Sequence, residues 1–144
     1  MQKDMRRAIY LWEEAAELGC IGALFELAYS YDYGTGVQED KAKAAEFYEK
    51  ATMRGHAESR CNLGFIEKEK GNDDRAVRHF MISAQMGDEI SVENIKAMFM
   101  NGIATKEQYA EALKGYQYAV KEWKSRDRDE AKANRRRLGV LSWQ

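Results

Sequence analysis

The chain has 144 residues, enough for one ordinary domain, and combines 44% hydrophobic with 33% charged residues. A formal net charge of −1 offers no global attraction to nucleic acid or to acidic membranes. No apolar run approaches the roughly 18 residues that a membrane span needs, and the absence of proline leaves long helices unobstructed.

In chain order, the opening Met1-Gln2-Lys3-Asp4-Met5-Arg6-Arg7 lacks the apolar stretch of a secretory signal. The first predicted helix carries Ala8 and Trp12 on one face and ends at Gly19. A second runs over roughly 20–32 and gives way to the loop Gly34-Thr35-Gly36-Val37-Gln38-Glu39, after which Asp40 can cap a helix starting at Lys41. That helix ends at Gly55, and another spans roughly 56–69. Behind Lys70-Gly71-Asn72-Asp73, with Asn72 or Asp73 as cap, a further helix leads to Gly87. A helix over roughly 88–100 and the loop Asn101-Gly102-Ile103-Ala104 follow. Thr105 with Gln108 then forms a capping-box pattern. A charged segment over 129–138 is expected to be helical and to cap the end.

These elements repeat. Ala8, Ala44, Ala76 and Ala112 are equivalent, as are Trp12, Tyr48, Phe80 and Tyr116, and both series step by 36, 32 and 36 residues. The small residue lets a neighbouring helix approach, and the ring one turn away fills the space beside it. Gly19, Gly55 and Gly87 close these helices at the left-handed C′ position that glycine occupies without a Cβ clash. After each glycine, Ala23, Ser59 and Ser91 precede Leu27, Leu63 and Ile95 by four residues, again one face of a helix. The unit is therefore a pair of antiparallel helices.

Asn62-Leu63-Gly64, Tyr29, Gly34-Thr35-Gly36-Val37, Asp40, Lys43-Ala44, Tyr48 and Gly55 resemble the pattern of Sel1-like repeats, a branch of the tetratricopeptide-like families. The resemblance covers about residues 5–123 and is strongest across 19–64. The third pair departs from it, with Lys96 where glycine is usual and no Gly-x-Gly-Val loop. Repeat and resemblance together predict an all-α, right-handed α-solenoid of antiparallel helix pairs. The expected organisation is a repeat domain over 1–123, made of a partial unit 1–18 and units over about 19–54, 55–86 and 87–123, followed by a charged segment 124–144. The chain opens in the second helix of a unit, so Ile9, Trp12 and Ala16 are expected to leave an apolar patch suited to self-association.

The chemistry-bearing residues point away from catalysis. Gly34-Thr35-Gly36 lacks the preceding strand and the Gly-Lys-Ser/Thr ending of a phosphate loop. His56, His79, Cys20 and Cys61 lack the paired spacing of zinc ligands, and the isolated cysteines read as reduced thiols of a cytoplasmic protein. Glu46 with Lys50, and Glu67-Lys68-Glu69-Lys70, read as solvated faces with helix-spaced ion pairs. No enzyme, cofactor or metal is predicted. Residues 124–137 hold seven basic and three acidic side chains, most simply a solvated helix, and nucleic acid is disfavoured as a partner because aromatic residues are not interleaved.

The resemblance implies a protein-interaction scaffold or adaptor. The alternatives are a regulatory fragment of a larger protein, for example a ubiquitin-pathway adaptor, or a module that uses the basic segment on nucleic acid. In such stacks the first helix of each pair lines the concave side. Glu26, Asn62 and Asn94 recur there, seven residues after each turn glycine, with Glu58 and Ile66 one turn to either side of Asn62. These five are the predicted groove for a peptide or protein partner, since amides can both donate to and accept from a backbone.

Overall fold

A computed structural model describes the backbone of residues 2–142 and the side chains of residues 4–139. Every described regular element is a helix: α1 Gln2–Glu17, α2 Ile21–Tyr33, α3 Lys41–Met53, α4 Ala57–Glu69, α5 Asp73–Gln85, α6 Glu89–Met100 and α7 Lys106–Ser142. Consecutive helices pack as antiparallel neighbours in an all-α solenoid.

The turn glycines adopt positive φ, with Gly55 at +91°. The same bonding closes all three tight turns. Gly19, Gly55 and Gly87 donate to the carbonyls of Ala16, Thr52 and Ala84 at 2.9 Å, and the next residue donates back to Ala15, Ala51 and Ser83. This is the Schellman arrangement, in which a left-handed residue lets two orphan carbonyls be satisfied.

The predicted caps divide. Asp40 accepts from the Lys43 amide at 3.0 Å, and Thr105 and Gln108 exchange bonds of 2.8 and 3.1 Å. Asn72 occupies its cap position but makes no capping bond, because its side chain donates instead to Glu67 Oε2 at 2.8 Å.

Two apolar clusters form the core. One joins Ala28, Ala44, Tyr48, Leu63 and Ile66, and the other is centred on Phe80, Val77, Ile95 and Met98. Leu27, Ala44, Tyr48, Leu63, Ala76, Phe80, Ile95 and Ala112 are buried. Ala8, Trp12 and Tyr116, the outer members of the two columns, are only half-buried. Gly64 lies directly against Phe80, where a Cβ would stand 2.7 Å from the ring. The equivalent position in the third pair is the exposed Lys96, and α7 packs more closely on α5 than on its own partner α6. Gly115 permits that approach, since a Cβ there would meet Gln85 Cγ at 2.5 Å.

Three expectations are corrected. Ile9 is buried, because Gly36 brings the α2–α3 loop against α1, and a Cβ there would meet Ile9 Cδ1 and Met5 Cβ at 3.0 Å each. Trp12 and Ala16 are half-buried, and the exposed apolar side chains of this end are Tyr10, Leu11 and Leu18. The charged segment does not fold back as a cap: α7 continues without a break for 37 residues, about 55 Å at 1.5 Å per residue, and residues 121–139 are exposed. Finally, the helix-spaced ion pairs are not formed. Among the described residues all side-chain ion pairs within 4.0 Å belong to Lys41, and Lys50 lies instead over the Phe47 ring.

Candidate partner-binding face

The first helices of the pairs, α2, α4 and α6, carry the predicted groove residues, and the structure separates them. Glu26 and Glu58 are exposed, and Asn62 and Asn94 are half-buried. Ile66 is buried in the core beside Tyr48 and Leu63, so it lines no surface groove. It sits eleven residues after its turn glycine, where the helix faces α2 and α3. The Asn94 amide donates to the Ile90 carbonyl of its own helix at 2.8 Å. The Asn62 amide is directed at the Tyr48 hydroxyl. The two asparagines thus have different surroundings, Asn94 bonded within its own helix and Asn62 acting on the Tyr48 hydroxyl.

What sequence reading missed on this face is aromatic. Phe25, Tyr29 and Tyr33 follow one another at i, i+4 and i+8 along α2. Their centroids are 6.3 Å apart for the first pair and 4.6 Å for the second. Phe25 also meets His56, the N-cap of α4, at 5.0 Å. Tyr29 and Tyr33 are 43% and 62% exposed, so their rings stand at the surface while Phe25 anchors the row. The i, i+4, i+8 spacing is legible in the sequence, but only Tyr29 belongs to the family pattern, and exposure of the row is set by packing.

Beneath this row lies a polar network at the C-terminal end of α2. Asp32 accepts from Lys41 Nζ at 2.6 Å and from the Tyr48 hydroxyl at 3.0 Å, while Lys41 also donates to the Asp32 carbonyl at 2.9 Å. The Lys41 ammonium lies 3.6 Å from Glu69 and 5.5 Å from the Tyr33 ring centroid. One lysine thereby links α2, the start of α3 and the end of α4. Asp32 is buried, so each of its oxygens needs the donor it has.

Burial first, and the Asp32 carboxylate second, push the Tyr48 hydroxyl far above the usual tyrosine range. For Lys41 burial acts to lower the value, but the bond and charge of Asp32 outweigh it and raise it. Both groups hold their protons more tightly folded than unfolded. The stability they contribute is complete below about pH 10 and lost as the pH rises beyond it. Urea unfolding should show stability falling from about pH 10 upward, and falling less steeply in Tyr48→Phe. Equal slopes in the two proteins would remove Tyr48 from this account.

The cysteines are free: Cys20 is exposed, and burial pushes the Cys61 thiol up to about 12. Among the described residues no three His, Cys, Asp or Glu side chains come together as a metal site would require. None of the described helices is long and apolar enough to cross a membrane.

Residues 1–20 and 21–56 match the Sel1 repeat family model. A Sel1 repeat protein from Oxalobacter formigenes is similar over 81% of this chain, with 26% identity and a TM-score of 0.64. A protective antigen present in uropathogenic Escherichia coli strains and displaying an SLR fold is similar over 83%, with 28% identity and a TM-score of 0.67. The chain spans 50% of the first of these structures and 27% of the second. No curated protein sequence matches it significantly.

Proposed function

We propose that this solenoid of Sel1 repeats is a non-catalytic scaffold that holds a peptide or protein segment on the α2–α4 face. Sel1 and SLR repeat proteins generally mediate protein–protein interaction, and stacked helix pairs present an extended concave surface suited to it. The observation that carries the reading here is the Phe25–Tyr29–Tyr33 row. Two exposed rings on a helix tied down by a part-buried ion pair supply contact area at little cost in side-chain entropy, as interface tyrosines do.

The charge around the row selects the partner. Glu26, Glu58 and Glu69 are exposed on α2 and α4, and tyrosine faces attract cations. The occupant is a segment carrying lysine or arginine beside apolar side chains, with Asn62 and Asn94 at the margin of its path. Self-association through the α1 end would use Tyr10, Leu11 and Leu18.

The test is binding of a peptide array by the purified chain and by Tyr29→Ala/Tyr33→Ala. Basic-apolar peptides should be retained by the parent and weakened at least about tenfold by the double substitution. Both rings are exposed, so the melting temperature should hardly move. Undiminished binding by the folded double variant would place the partner on another face.

A further inference from the structure

The positions that line one groove of the solenoid recur, repeat by repeat, along the chain. Between α1 and α3 there is a groove of about 350 Å³ lined by Glu13, Ala16, Leu24, Tyr31, Lys43 and Phe47, among others. Advanced by one repeat, these positions become Glu49, Thr52, Arg60, Glu67, Arg75 and His79, in the gap between α3 and α5 over α4. Glu49, Arg60, Glu67 and Arg75 are the very charges that act on His79, which places the set together.

The substitutions run in one direction. The floor residue is Leu24 in the first groove and Val92 in the third, both buried, but Arg60 in the second. The α3-side wall is Thr52 where the other grooves have Ala16 and Ala84, and the α5 wall is His79 where they have Phe47 and Gly115. Packing alone is served by the apolar choices. Among the described residues, the buried side-chain polar atoms with no hydrogen-bond partner are Thr52 Oγ1, Arg60 Nε and His79 Nδ1, and in the repeat register all three fall at positions of this one gap. Thr52 is only 7% exposed.

We propose that the α3–α5 groove is a binding site for a small oxyanion, a carboxylate or a phosphate, held by Arg60, Thr52 and His79. A guanidinium can only donate, and Arg60 is half-buried with its Nε enclosed and without an acceptor, so an occupant that meets it presents acceptors and negative charge. Glu49 and Glu67 do not meet that need. No carboxylate among the described residues comes within 4.0 Å of Arg60, and Glu67 is already held by Asn72. Arg75, exposed at the rim, balances one of these two carboxylates. Burial, with the Arg60 charge behind it, lowers the His79 pKa. Its imidazole is therefore neutral near pH 7, able to donate from one ring nitrogen, and an arriving anion favours its protonation. This site lies away from the α2 aromatic row and stands or falls independently of it.

The chain has two histidines, so each imidazole can be followed separately by NMR. The full chain is titrated with sodium phosphate and, separately, sodium acetate, against sodium chloride at matched ionic strength. The His79 signal should move saturably with at least one oxyanion and not with chloride, while His56 stays still. A response to phosphate alone identifies the ligand as a phosphate, and a response to acetate extends it to carboxylates. Arg60→Leu, which installs the side chain of the first groove, should abolish the shift. Thr52→Val, as a second folded variant, should weaken the affinity several-fold. A His79 response equal in chloride, no response to either oxyanion, or an unchanged response in Arg60→Leu would overturn the assignment.

Discussion

Phe80→Ala should destabilise the chain by about 3–5 kcal/mol in chemical denaturation. Phe80 is fully buried, meets Phe65 edge-on at 5.2 Å between centroids, and rests on Gly64 of α4. Removing the ring leaves a cavity that two packed helices cannot collapse without moving the rest of the stack. Gly64→Ala supplies a check on this geometry. Its Cβ would stand 2.7 and 2.9 Å from ring atoms of Phe80, so alone it forces the ring aside. In the Phe80→Ala background it occupies freed space and should cost less, a coupling that a double-mutant cycle measures. A loss under about 1 kcal/mol for Phe80→Ala would mean that the ring is not the centre of its apolar cluster.

Asp32→Ala should cost about 2–4 kcal/mol, the largest expected effect outside the apolar core. The substitution leaves the Tyr48 hydroxyl buried without its acceptor and takes from Lys41 its 2.6 Å partner. Lys41 is 32% exposed and can turn towards Glu69 or water, which holds the cost below that of a wholly buried pair. Asp32→Asn keeps one acceptor and should recover part of the loss. Because this network fixes the end of α2, Asp32→Ala should also blur the Tyr29–Tyr33 surface and weaken partner binding. Retention of full stability in Asp32→Ala would show that the buried pair gives no more than its desolvation takes.

The recurrence of alanine and an aromatic ring at steps of 36, 32 and 36 residues determined the helix pairs, the turn glycines and the central core, without reference to any other protein. These features are local or nearly so. A left-handed glycine closing a turn, a capping aspartate and an i, i+4 pair on one face each arise from a few adjacent residues and recur because their backbone requirements recur. The tertiary structure decided what depends on neighbours distant in sequence. Ile9 is buried because a loop some 27 residues later folds over it at Gly36, and no periodicity in α1 records that contact. Ile66 and Asn62 share one helix, yet only packing shows that the first is core and the second faces the Tyr48 hydroxyl. Asp32, Lys41 and Glu69 lie on three helices and read in sequence as ordinary solvated charges, but they converge because α2 and α4 end where α3 begins, at one level of the stack. The aromatic row and the polar groove show the same division. Side-chain identity is written along the chain, whereas exposure, partnership and the charge a group meets are set by which helix lies beside it.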